Sequence, residues 1–448
     1  MLVSSLLALA TAGLTVGSPL VKRSNLGWDF GGSEKVRGVN IGGWLVLEPF
    51  IVPSFFESLP STVIDEYTLG QQVDTATATS MLQAHWGSWV SAADFQRLAA
   101  LGFNTVRIPI GFWAFDTFDT PYIKAGQEGY LDGAIDWARS AGLKVWIDLH
   151  GAPLSQNGFD NSGQRLDDST PGWLTGDSYN QTLSVLNTIA QKYAQPAYQD
   201  TVVAIELVNE PLMSQLSGGM DAVKTYYYNG YGEVRAVSDT NVMLHDGFVS
   251  PAEWNGVLTP SDNNAQNVVM GKFFFPKPPS LFFSPLPTNH LLTPPDHHYY
   301  QAFTQDYVSM SPQTHIDTVC TDAPSFTASR DKWLIVGEFT AAFDDCALWL
   351  NGRNKGARYD GTLPDSTYVG DCSARNTSST WSDDMKQKTR AYLERQISAF
   401  EQQTLGWVFW NFKTETATAW SLFGLDDLGL LPQPLDQKLY GDVICSWD

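Results

Sequence analysis

The chain has 448 residues, 43% of them hydrophobic, and a formal net charge of −21. That much apolar sequence can fill two or three domains by length alone, or one eight-fold α/β barrel. Acidic residues are spread along the chain rather than gathered in blocks, which argues against nucleic acid or an anionic membrane as partner and suits a neutral substrate.

In chain order, the first feature is a short apolar stretch, Leu2 to Val16, followed by Gly17-Ser18. It is too short to span a bilayer, and residues 1–18 read as a secretory signal peptide. Lys22-Arg23 is a dibasic processing pair, so 19–23 reads as a short propeptide and 24–448 as the mature domain. No later stretch is long and apolar enough to span, and no anchor pattern follows Cys445, so a secreted, extracellular product is expected.

Apolar and β-branched runs then recur with amphipathic segments between them. Strands are expected at Arg37–Leu47, Asn104–Ile110, Leu143–His150, Val202–Asn209, Val242–Phe248, Asn267–Met270 with a continuation near His297, Trp333–Phe339 and Trp407–Phe412. Helices are expected at Ala92–Leu101, Leu131–Ala141 and Met385–Gln403, with Gly102 and Gly142 as stops before the next strand. Eight strand–helix repeats predict the α/β class and a single (β/α)8 TIM barrel with loop insertions. Such a barrel gathers Glu48, Arg107, His150, Asn209-Glu210, His298, Glu338 and Trp410 at the C-terminal ends of its strands, the face where barrel enzymes keep their chemistry.

The most telling runs are Val202 to Pro211 and Trp333 to Phe339, apolar strands that end in Glu210 and Glu338. One strand-end Glu is ordinarily a solvated charge, but two of them fit the paired carboxylates of a glycosidase. The chain also carries 16 Trp, 17 Tyr and 24 Phe. Flat side chains of this kind line sugar clefts, although most will be core.

Residues 271–295 break the rhythm. This stretch is rich in Phe, Leu and Pro, shows no strand or helix period, and interrupts the sixth strand, an awkward place for a structureless loop. Gly271-Lys272-Phe273 can be encoded by GGT-AAG-TTY, which contains a splice donor. Leu292-Thr293 can supply a branch point, and Pro295-Asp296 the acceptor CAG. A translated, unremoved intron or a gene-model error is therefore favoured over a genuine loop.

Four cysteines, Cys320, Cys346, Cys372 and Cys445, favour two disulfides in a secreted chain, with three pairings open. Without any C-x-x-C spacing, metal binding is disfavoured. Asn180-Gln181-Thr182 and Asn376-Thr377-Ser378 are N-glycosylation sequons.

Six ordered segments then identify a relationship: Arg37 to Pro49 (RGVNIGGWLVLEP), Asp148 to Pro153 (DLHGAP), Val208 to Pro211 (VNEP), Asp296 to Gln301 (DHHYYQ), Val336 to Phe339 (VGEF) and Gly406 to Trp410 (GWVFW). With them the chain resembles the fungal exo-β-1,3-glucanases of glycoside hydrolase family 5, over nearly all of Val36–Trp447 except the insertion. Asn411-Phe412 stand where that family more often has Ser and Trp.

The resemblance implies a monomeric, retaining exo-β-1,3-glucanase of fungal wall glucan that needs no metal or cofactor. Glu210 would be the acid/base and Glu338 the nucleophile. Two nearby carboxyls repel, so Glu210 is expected to hold a proton while Arg107 keeps Glu338 ionised. Asn209 would bind the sugar 2-hydroxyl, Tyr300 the nucleophile, and His150 and His298 hydroxyls or carboxylates. Glu48 would close the pocket, Trp410 would floor it, and Phe159 and Phe303 would grip the next glucose at its entrance. The family also implies the pairs Cys320–Cys445 and Cys346–Cys372. An endo-β-1,4- or β-1,6-glucanase is the rival within the fold, and a non-catalytic glucan-binding protein the rival outside it.

Overall fold

The computed structural model describes residues 28, 30, 32–167, 170–266, 268–271, 298–323, 331–440 and 445. The signal and propeptide assigned to residues 1–23 lie outside the described residues. So do His297 and all of the proposed insertion except Gly271.

Eight parallel strands form the barrel: β1 Val36–Asn40, β2 Thr105–Gly111, β3 Lys144–Gly151, β4 Val202–Glu206, β5 Asn241–His245, β6 Val268–Gly271, β7 Trp333–Ile335 and β8 Gly406–Phe409. The ladder runs β7-β6-β5-β4-β3-β2-β1-β8. A Val336–Trp407 bridge and the hydrogen bonds Leu405 N–H to Leu334 O (2.8 Å) and Val408 N–H to Val336 O (2.8 Å) close it. This is the (β/α)8 barrel that the strand rhythm predicts.

The expected helices appear as Ala92–Ala100, Gln127–Ala141 and Asp383–Gln403. Their ends follow local chemistry. Asp94 accepts from the backbone N–H and the hydroxyl of Ser91, each at 2.8 Å, and Ser382 caps the long helix by accepting from Met385 N–H. Gly142 stops the middle helix with φ +76°, a left-handed conformation that glycine adopts without strain.

Several strands are shorter than their apolar runs. β1 ends at Asn40 rather than Leu47, β4 at Glu206 rather than Asn209, β5 at His245 rather than Phe248, and β7 at Ile335 rather than Phe339. The apolar character continues because the loops leaving the barrel are themselves buried, as Trp44, Leu45, Val46 and Leu47 are. Backbone geometry ends the ladders. Gly43 turns at φ +65°, where a Cβ would lie 2.4 Å from Ile51, and Gly247 and Phe248 turn at +64° and +67°.

β6 ends at Gly271, yet the chain rejoins the barrel beyond the insertion, where Tyr299 bridges Phe339 and its N–H donates to Glu338 O at 3.0 Å. Both implied disulfides form, Cys320–Cys445 and Cys346–Cys372, with Cα atoms 5.2 and 5.0 Å apart. No helix among the described residues is long and apolar enough to cross a membrane.

Strand alternation divides the core. On β3, Val145, Ile147 and Leu149 pack outward under the helices. Trp146 faces the barrel axis with Val203, Met243, Val269, Ile335 and Val408, forming a floor. The residues two and four further along that face are Asp148 and His150, and the site is built on them.

Candidate active site

Arg107, on β2 beside Trp146 of β3 in the ladder, stands on this floor with its guanidinium 5.4 Å from the Trp146 ring centroid. It is fully buried, and every nitrogen is engaged. Nε donates to Glu206 (2.8 Å) and Nη1 to Asn40 (2.9 Å) and Glu338 (2.7 Å). Nη2 donates to Asn209 Oδ1 (2.7 Å) and lies 3.0 Å from Asp148 Oδ2. A guanidinium has five N–H donors in a fixed plane, so this fork sets the positions of five groups at once. Burial opposes its charge, but Asp148, Glu206 and Glu338 outweigh that and hold it ionised. In return, burial pushes the carboxyls of Asp148 and Glu206 each up to about 7, against the pull of Arg107.

Glu210 and Glu338 face each other across His298. His298 Nδ1 is hydrogen-bonded to Glu210 Oε1 and lies 2.8 Å from Glu338 Oε2. Since both oxygens are within one hydrogen bond of the same atom, they are at most about 6 Å apart. Tyr300 donates its hydroxyl to Glu338 Oε2 at 2.8 Å, so Glu338 has partners on both oxygens. Glu210 has φ +47°, a left-handed conformation strained for a residue with a side chain, and Pro211 follows it.

The surroundings of Glu210 bear on where the expected proton sits. Burial raises the Glu210 carboxyl, but His298 and the Asn161 amide, donating to Oε2 at 2.7 Å, overcome it and hold the group down to about 2. Burial likewise disfavours charged His298, yet Glu338 and Glu210 push it up to about 10. Both shifts run in the direction of an ionised Glu210 beside a charged His298.

His150 is buried, with Nδ1 2.6 Å from Asp148 Oδ2, and its ring stacks on Trp410 at 5.6 Å and 9°. Trp410 needs Gly42 beneath it, where a Cβ would come within 3.0 Å of the indole. Glu48 is buried, and burial, followed by the charges of Asp160, Glu338 and Glu210, holds its carboxyl well above the usual range against the opposing pull of Arg107. Phe159 is half-buried at the start of a turn, Asp160–Ser162, that also carries Asn161. Phe303 is half-buried against Tyr300 (5.5 Å) and Trp420 (6.1 Å). Gln305, two residues on, pairs with both backbone groups of Thr367.

Glu210, His245 and His298 offer ligand atoms within 4.8 Å of one another. His245 Nδ1 accepts from Gly247 N–H at 2.9 Å, which puts its proton on Nε2, while His298 Nδ1 is taken by the two carboxylates. These two Nδ1 atoms are thus engaged by protein groups.

Four polar residues in the site were not singled out from the sequence: Asn40, Asp148, Asn161 and Glu206. Glu206 had a legible signal, a charge inside an otherwise apolar strand. Asp148 had one too, at two residues before His150 and hence on the same face. Asn161 reaches Glu210 only through the fold.

The family model described as "Cellulase (glycosyl hydrolase family 5)" matches residues 70–356. A glucan 1,3-beta-glucosidase of Blumeria graminis is 42% identical over 96% of this chain and 94% of its own. A probable glucan 1,3-beta-glucosidase A of Aspergillus niger is 43% identical over 91% of this chain and 89% of its own. Among solved structures, the rutinosidase from Aspergillus niger shares the fold, with a TM-score of 0.66, 17% identity, and coverage of 89% of this chain and 98% of that one. With the family model and the full-length relatives in agreement with the barrel and its paired carboxylates, this chain belongs to glycoside hydrolase family 5.

Proposed function

We propose that the protein is a secreted, monomeric, retaining exo-β-1,3-glucanase that releases glucose from the non-reducing ends of fungal wall β-glucan. Relatives named glucan 1,3-beta-glucosidase, matched over most of their length, support the substrate. The observation that carries the mechanism is the single imidazole nitrogen shared by Glu210 and Glu338. Retaining glycosidases keep their carboxyls about 5–5.5 Å apart, whereas inverting ones need about 6.5–9.5 Å to admit a water. The bound of about 6 Å set by that nitrogen supports retention.

Glu338, ionised beside Arg107 and held by Tyr300, attacks the anomeric carbon. Glu210 protonates the departing oxygen, with His298 Nδ1 hydrogen-bonded to its Oε1 as the adjoining proton carrier. Water or a second sugar then releases the glycosyl-enzyme with Glu210 as base, so transglycosylation accompanies hydrolysis. Asn209 binds the 2-hydroxyl, a contact that tightens as the oxocarbenium forms. Glu48 and Trp410 enclose the terminal sugar, and Phe159 and Phe303 hold the next one.

An NMR time course on a β-1,3-linked glucan oligomer tests this reading. Glucose appearing first as the β-anomer is expected. The α-anomer would refute retention, longer oligomers would indicate endo action, and binding without turnover would indicate a non-catalytic glucan-binding protein.

A further inference from the structure

We propose that Asp148 is a positioning residue: it fixes the tautomer of His150 and, through it, the direction of the Asn209 amide that faces the sugar. The inference rests on the glycosidase reading above. Arg107 can only donate, so Asn209 must turn Oδ1 toward Nη2, 2.7 Å away. That choice points the Asn209 NH2 group the other way, to 3.4 Å from His150 Nε2. A ring nitrogen facing an N–H donor must present its lone pair. The imidazole proton therefore belongs on Nδ1, 2.6 Å from Asp148 Oδ2. Asp148 Oδ2 returns the circuit to Arg107 Nη2 at 3.0 Å.

Each polarity in this four-residue circuit is set by its neighbour. Arg107, Asp148, His150 and Asn209 are all at most 1% exposed, so water does not substitute for a missing partner. Trp410, stacked on the imidazole, keeps the ring from tilting out of the circuit. Burial, aided by Arg107, lowers His150 to about 4, so the ring is neutral at working pH and its tautomer is a real choice. With one hydrogen of the Asn209 NH2 group aimed at His150, the other serves the 2-hydroxyl. Without Asp148 the imidazole can carry its proton on Nε2, where it opposes the NH2 group and turns the amide from its working direction.

The test has two readouts. In the first, two-bond proton–nitrogen NMR on the full chain labelled with 15N-histidine, with His150→Gln to assign the signal, shows which His150 nitrogen is protonated. Nδ1–H is expected, and Nε2–H in the wild-type protein overturns the proposal. In the second, Asp148→Ala is assayed on an aryl β-glucoside and on its 2-deoxy analogue. Loss of a hydrogen bond to a charged group predicts kcat on the glucoside lower by about 10–100-fold with KM little changed, and a loss under about threefold on the analogue. An equal loss on both substrates would make Asp148 a mere counter-charge for Arg107 and overturn the proposal. Should the variant not fold, the wild-type tautomer still decides. If the wild-type enzyme cleaves neither glucoside, the glucosidase reading fails, and the NMR readout continues to judge Asp148 separately.

Discussion

Replacing His298 with glutamine removes the imidazolium between Glu210 and Glu338 and keeps a polar group of similar size. His298 is held at about 10, above its ordinary 6.5. Its contribution to stability is therefore complete below pH 6.5 and disappears as pH rises through about 10. Glu210 is held at about 2, below its ordinary 4.5, so its share is complete above 4.5 and is lost as pH falls through about 2. The pair stabilises most between these ordinary values, from pH 4.5 to 6.5. Breaking a buried pair costs about 3–5 kcal/mol. An unfolding entropy of about 2.1 cal/mol/K per residue gives this chain about 0.9 kcal/mol/K, hence a Tm lower by about 3–5 °C at pH 6. Between pH 6 and 8.5, titration of unfolded His298 removes about 2–3 kcal/mol of the wild-type advantage, so the gap should narrow by about 2–3 °C. Thermal melts of both proteins across this range are the assay. A gap that stays constant from pH 6 to 8.5 would refute a charged His298 in the folded site.

Tyr300→Phe removes one hydrogen bond to Glu338, which should lower kcat by about 10–100-fold with the fold intact by circular dichroism. Arg107→Lys offers three donors where five acceptors wait, so both Tm and kcat should fall sharply; melting within 1 °C or so of wild type would contradict the described network. Asn180 is exposed, whereas Asn376 is half-buried, with its Oδ1 buried, and lines a small cleft with Asp344, Arg375 and Trp420. Peptide mass mapping should therefore find higher glycan occupancy on Asn180 than on Asn376. Sequencing the mature transcript across residues 271–295 should show that stretch removed; continuous coding sequence there would end the intron reading.

The barrel was legible because its strands are buried on both faces and read as unbroken apolar runs. The same property blurred their ends: Trp44 to Leu47 are as buried in a loop as Val39 is in a strand, so burial alone could not mark where pairing stops. Glu210 and Glu338 stood out as charges ending apolar runs. Asn161 did not, since an Asn in a polar turn is ordinary until the fold sets its amide 2.7 Å from Glu210. The location of the proton was also hidden. Sequence places two carboxyls near each other, but only the fold sets His298 Nδ1 within reach of both, which favours charge on the imidazole.

The left-handed backbone at Glu210 bears on attempts to engineer this enzyme for heat resistance. That conformation costs a side-chain-bearing residue about 1–2 kcal/mol, and glycine escapes the cost. Glu210→Ala and Glu210→Gly both delete the carboxyl, but only glycine relaxes the main chain, so a library sorted on melting temperature alone should rank glycine above alanine here. The usual stabilising rule of placing glycine at positive φ would thus lead a designer straight to the proposed acid/base. On the proposed mechanism backbone comfort and turnover are opposed at this position, and any screen needs an activity gate.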